Sequence, residues 1–396
     1  MQKALFLLIY IFLVFYGSLY PFTGWHIPQN TLWEHFFLWN TNKSDMLLNV
    51  LVYMPLGFLI FAAIEKKVKC HFAILISILL GSSISFCVEV IQFFLQHRIT
   101  TISDWILNSL GSFLGSLFGL FTVGRSKIAE ILHTYKKNLF HDHPSSNLGI
   151  FVLVLWTLSQ LTPLVPSPSW SNIKEGLKPV WYVLQDYTLY DPLHAFIYTT
   201  NVLAICLVTI LIAKRRKIVL AIVFLYIGCV MVLKVPIIGR QISLEALTGS
   251  IIGCSMAFFL CTKSVRTITI LAAIMIITAF VVHQIRPGSH NELYAFNWVP
   301  FRSHMTPVGL INILGALWPF TALGFLAIAA NAGWRLMVFC GFCVAALAFS
   351  TEWLQQYIPG RYPDITPTFL AIVGWFLAIS IAGETAKKSG TMNVTA

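Results

Sequence analysis

Between Ser44 and Gly115, three apolar runs carry polar side chains that a bilayer should exclude: Asn49, Glu89, Gln92, Arg98, Asp104 and Asn108. An ionisable group at the centre of a membrane segment costs about 3 kcal/mol on insertion scales, so such residues are expected to be paired or functional. Glu89 and Gln92 stand three apart and project from one face of a helix. A carboxylate beside the Arg98 guanidinium can form a bidentate, charge-assisted pair that keeps both ions charged. Two readings follow: a clamp that only fixes the short turn between two helices, or a site for a ligand. An outward-facing arginine among amides and aromatic rings suits a phosphate or pyrophosphate headgroup. A basic residue at a membrane edge can equally snorkel as an anchor. Asp104 and Asn108 open a helix that Ser103 or Asp104 can cap. Two carboxylates in different environments can also divide acid and base roles, which would allow transfer or hydrolysis of a lipid-linked group.

The same residue types return near the end of the chain as Asn312, Glu352, Gln355, Arg361 and Asp364. Asparagine and glutamate are 40 positions apart in both sets, glutamate and arginine nine, and a glycine, Gly111 or Gly374, follows the arginine by thirteen. Between them lies a degenerate copy with Asn201, Arg240 and Glu245, which has Lys234 on its third helix and no acid where Glu89 and Glu352 stand. Gly111 and Gly115, with Gly249 and Gly253, form small-residue ridges of the kind that pack membrane helices.

The elements that must position these residues are membrane helices. Of 396 residues 57% are hydrophobic and only 10% charged, where soluble domains carry about 25% charged residues. Apolar spans run over 4–20, 44–64, 72–95, 102–123, 148–165, 193–213, 218–238, 244–261, 267–284, 310–330, 336–357 and 366–381, each long enough to approach or cross about 30 Å of hydrocarbon. The expected fold is all-α, a polytopic integral membrane protein of about twelve transmembrane helices in three four-helix repeats. The units are 1–124, 148–265 and 266–384, with a basic cytoplasmic linker at 125–147 and a cytoplasmic tail at 385–396. With both termini cytoplasmic, seventeen of the 26 lysines and arginines fall on the inner side and eight, including Lys174 and Lys178, on the outer, as the positive-inside rule requires. The net charge of +11 is therefore topological, and no nucleic-acid partner is implied. The glutamates and arginines then share the outer side, beneath loops rich in aromatic residues such as Trp25, Trp33, Trp39 and Trp298. These loops are either interfacial segments lying over the polar cluster or ordinary aromatic belts. Cys340 and Cys343 form a CxxC in an apolar helix without histidine or a second pair, so packing is expected rather than metal. No hydrolase, P-loop or dinucleotide motif is present, and no catalytic residue or cofactor is assigned.

The run Asn49-Val-Leu-Val-Tyr-Met-Pro55-Leu-Gly57-Phe58, followed by Glu89-Val-Ile-Gln92, Arg98, Asp104-Trp-Ile-Leu-Asn108 and Gly111, resembles the VanZ-like membrane family, named after a teicoplanin-resistance protein. The likeness covers nearly all of 1–124 and extends more weakly to 266–382, through Asn297-Trp-Val-Pro300-Phe301 and the second set of polar residues. Thr101 stands where such proteins often have an aspartate three beyond the arginine, and Pro367 and Ala371 replace the counterparts of Asp104 and Asn108. The resemblance implies a bacterial cytoplasmic membrane protein of the cell envelope with low-level glycopeptide resistance. Its expected partners are membrane lipids, polyprenyl-phosphate carriers or a glycopeptide antibiotic. The alternatives are an intramembrane enzyme acting on a polyprenyl-linked glycan, and a lipid or solute transporter. A triple rather than two-half repeat counts against the transporter.

Overall fold

A computed structural model of the chain describes residues 2–19, 24–28, 31, 36–37, 43–96, 100–123, 127–162, 166–167, 169–288, 291–300 and 307–388. Among them there is no strand beyond isolated bridges. This is the outcome that a lipid solvent imposes, because a helix satisfies its own backbone polar groups where no water can. The chain divides into two compact units, Met1–Lys136 and Lys137–Ala396.

The first unit holds α1 (Gln2–Leu19), α2 (Lys43–Ile64), α3 (Cys70–Gln92) and α4 (Ile102–Thr122), and the chain passes from the first unit to the second within α5 (Lys127–Leu139). The second holds α6 (Pro144–Leu161), α7 (Trp170–Gln185), α8 (Pro192–Ile212), α9 (Arg216–Lys234), α10 (Leu244–Leu260), α11 (Val265–Ile285), α12 (Pro307–Ala329), α13 (Trp334–Leu354) and α14 (Thr366–Lys388). Six described helical segments are long and apolar enough to cross a membrane: α3, α4, α8, α9, α11 and Trp334–Tyr357. The chain is a multi-pass membrane protein. Two helices differ from the sequence expectation. The basic linker contains α5, and the loop after α6 folds into α7, whose amphipathic sequence leaves Trp170 and Trp181 exposed. Both are too polar to register as spans, yet each has one apolar side to set against a surface.

Helix starts follow local chemistry. Thr101, His143, Ser169, Asp191, Ser243 and Ser264 each accept a hydrogen bond from an amide of the first turn of the helix they precede. In the first unit α2 and α4 meet backbone to backbone. A Cβ placed on Gly115 would lie 1.8 Å from the Met54 carbonyl oxygen, and one on Gly111 2.4 Å from that of Val50. In the second unit α10 approaches α8 the same way, Gly249 against the Ala195 carbonyl and Gly253 against that of Thr199, and Gly374 of α14 lies against the Leu317 carbonyl of α12. Residues Val202 to Ile210 of α8 are all buried, since α6, α9, α10, α11 and α12 surround that helix. Within the compact unit 137–396, α8 packs on α11 and α6 on α12.

Gly115→Leu should cost about 3 kcal/mol or more, because the new side chain meets backbone that cannot rotate away. Thermal unfolding of the detergent-solubilised protein should show a lowered Tm, whereas Gly17→Ala, with no atom within 4 Å of the added carbon, should leave it unchanged.

Candidate functional site

Glu89 lies in the last turn of α3 and is 3% exposed. Its Oε2 accepts the backbone N–H of Thr101 at 3.2 Å, and its own carbonyl accepts the Thr100 hydroxyl at 3.1 Å. The acid thus ties the end of α3 to the start of α4. Thr101, not Ser103 or Asp104, caps α4: its extended backbone places Oγ1 to accept the Asp104 N–H at 3.3 Å. The Asp104 carboxylate is therefore available to α2 and accepts Asn49 Nδ2 at 2.6 Å. Gln92 donates to the Ser18 carbonyl at 2.8 Å, one of the orphan acceptors at the end of α1. Asn108 donates to Ser85 Oγ at 2.9 Å. Arg98 and the neighbouring His97 lie outside the described residues.

Along α4 beyond this cluster, two buried polar atoms have no hydrogen-bond partner among the described residues: Asn108 Oδ1 and Ser112 Oγ. The Tyr53 hydroxyl is buried with Ser85 as its hydrogen-bonding neighbour and lies within electrostatic reach of Glu89. Tyr53, Ser85 and Ser112 were not singled out from sequence. A tyrosine or serine in an apolar run is an ordinary helix residue until its neighbours are known.

Glu352 repeats the role of Glu89 and is also 3% exposed. Its Oε2 accepts the backbone N–H of Asp364 at 3.1 Å, and its Oε1 accepts Gln284 Nε2 at 2.6 Å. Gln355 donates to the Gln284 carbonyl at 3.2 Å, as Gln92 does to Ser18. Asp364 accepts the N–H of Thr366 at 2.7 Å, opening α14, and accepts Asn297 Nδ2 at 3.1 Å. The side chain of Asn312 is outside the described residues.

The expected glutamate–arginine pair does not form at Glu352. Arg361 donates instead through Nε to the Arg286 carbonyl at 2.6 Å and through Nη2 to that of His283. These carbonyls end α11, where unpaired acceptors and the negative end of the helix dipole draw a cation. Two N–H donors already satisfy the Glu352 carboxylate. Arg240 acts identically on α6, donating to the carbonyls of Ser159 (2.7 Å) and Thr162. Each arginine follows a glycine at φ +71°, Gly239 or Gly360, a left-handed turn that glycine adopts without penalty. Glu245 accepts the Asp191 N–H at 3.1 Å, and the structure gives Asn201 no role in the cluster.

Aromatic rings gather beside both glutamate helices. Phe36 packs on Phe86 and Trp105 at 6.0 and 6.2 Å, and Phe296, Trp298, Phe349 and Trp353 form a second group. The loop at 24–26 pairs with 94–96, through His26 N–H to the Phe94 carbonyl and Gln96 N–H to that of Gly24. Among the described residues no group of three or more His, Cys, Asp or Glu is arranged to hold a metal.

Residues 4–123 match the family model described as VanZ/LLP1. Comparison with curated proteins and with solved structures returns no match. Arg361→Ala would leave two carbonyls at the end of α11 unpaired, at about 1–3 kcal/mol each. Thermal unfolding should register this as a lowered Tm, only partly restored by Arg361→Lys, because a lysine lacks the planar fork that spans both acceptors.

Proposed function

We propose that this chain is a VanZ-like membrane protein, as the VanZ/LLP1 match of residues 4–123 supports, and that its first unit binds an envelope lipid headgroup or a glycopeptide-type antibiotic at the Glu89 cluster and so contributes to glycopeptide (teicoplanin) resistance. One observation carries the reading: among the described residues, Asn108 Oδ1 and Ser112 Oγ are buried without hydrogen-bond partners where α4 packs against α3, the helix that carries Glu89. Native proteins leave few such atoms, and each calls for a bound group or a functional cost. A ligand bearing hydroxyls or a phosphate, such as a polyprenyl-phosphate carrier, would supply what these atoms lack.

The same reading places the protein in the bacterial cytoplasmic membrane with both termini inside, on the strength of the lysine and arginine bias. It takes the chain as three related four-helix units. Support comes from the paired behaviour of Glu89 and Glu352, Gln92 and Gln355, and Arg240 and Arg361, together with glycine-mediated packing of the second helix on the fourth in each set. Six shorter apolar helical segments accompany the six long ones, in keeping with about twelve crossings.

Native mass spectrometry of the purified full chain tests the binding. Wild type should retain one envelope lipid species, and Asn108→Leu and Glu89→Gln, in preparations with unchanged Tm, should lose most of it. Equal occupancy in all three would reduce the cluster to a clamp between helices.

A further inference from the structure

Lys234, the last residue of α9, is a charge that the reading above does not use. It stands six positions before Arg240, where Gln92 and Gln355 stand before their arginines, and Met231 occupies the position of Glu89 and Glu352. The middle set of helices has therefore exchanged a buried anion for a buried cation.

A lysine that only anchored a span would extend its ammonium into the headgroup layer. Lys234 is 3% exposed and turns inward. Its Nζ donates to Gln160 Oε1 at 3.1 Å and to Tyr198 Oη at 3.4 Å, and lies 5.2 Å from the centre of the Tyr198 ring. Both acceptors are neutral, the second bond is long, and no carboxylate among the described residues lies within ion-pair distance. An ammonium has three donors and a full charge, so among the described residues one donor is left over and only the Tyr198 ring faces the charge, a costly arrangement at the edge of a bilayer.

The nearby acids are engaged elsewhere. Asp191 pairs with Arg286 at 2.5 Å and caps α8, and Glu245 accepts the Asp191 amide. The cations are not cancelled, since Arg240 holds carbonyls on either side of Gln160. His194, whose ring lies 5.1 Å from that of Tyr198, is within electrostatic reach of Lys234. Gln160, Tyr198 and His194 are all half-buried, so the ammonium lies beneath side chains that reach the surface. Lys234 also ends an apolar span, the depth at which lipid phosphates lie.

We propose that Lys234, with Gln160, Tyr198 and His194, forms an anion site for a phosphate group, carried by an anionic lipid headgroup or free in solution. Phosphate offers several strong acceptors to donors of this kind and supplies the missing negative charge. The site uses residues separate from the Glu89 cluster and stands or falls independently of it.

The test is native mass spectrometry of the full-length protein titrated with phosphatidylglycerol, with and without inorganic phosphate as competitor. Lys234→Gln should weaken retention of the lipid about tenfold, the size of one charge-assisted bond. Gln160→Glu, which gives the ammonium a carboxylate from within the protein, should weaken it as much without lowering Tm. That second variant carries the test if Lys234→Gln does not fold. Displacement by inorganic phosphate would identify a bare phosphate site, and resistance to it a lipid headgroup site. Unchanged retention in folded Lys234→Gln and Gln160→Glu would overturn the proposal. So would a loss confined to Glu89→Gln, which would leave only the first-unit cluster as a site.

Discussion

Every helix that ends close to lipid leaves amides and carbonyls that water does not reach, and this fold is organised around satisfying them. Glu89 and Glu352 accept the backbone amides that open α4 and α14. Gln92 and Gln355 serve the carbonyls that close α1 and α11, and Arg240 and Arg361 close α6 and α11. Placing the charge on the side chain and its partner on the backbone fixes two short turns at once. It also explains why glutamate and arginine recur at one spacing without pairing at Glu352, since each answers a different helix end.

A polar cluster that closes helix ends can still be a site where it holds more polar atoms than the closing uses. At Glu352 the Gln284 amide and the Asp364 N–H occupy both carboxylate oxygens. In the first unit Asn108 and Ser112 add buried amide and hydroxyl atoms that the helix ends do not need, as Ser250 does on α10 and Thr368 on α14. The middle helices depart in charge rather than in number, with Lys234 where the others carry glutamine and Met231 where they carry glutamate. The glutamate and glutamine of the third helix are the same in the first and last sets, and only the middle set replaces both, with Met231 and Lys234. Close glycine contacts keep the second and fourth helices in place throughout, so these positions vary against a fixed frame.

Much of this was legible in the sequence. Length and apolar content fix the class, since no soluble core absorbs 57% hydrophobic residues spread over runs of this length. The period of those runs locates the helices, the 40- and nine-residue spacings identify matching polar positions, and the glycine ridges mark close helix contact. What the sequence could not supply was the partner of each polar side chain. Arg361 reaches carbonyls 75 and 78 positions earlier, a choice made by where α11 ends in space rather than by any neighbour in the chain. The cap of α4 turned on whether residue 101 is extended, and α7 formed in a loop whose mixed composition gives no span signal. The packing of α8 on α11 within the compact unit 137–396 depends on helix faces that are equally apolar all round. Periodicity determines that such helices exist; only tertiary structure decides which of their like surfaces meet, because van der Waals fit, unlike hydropathy, has no one-residue signature.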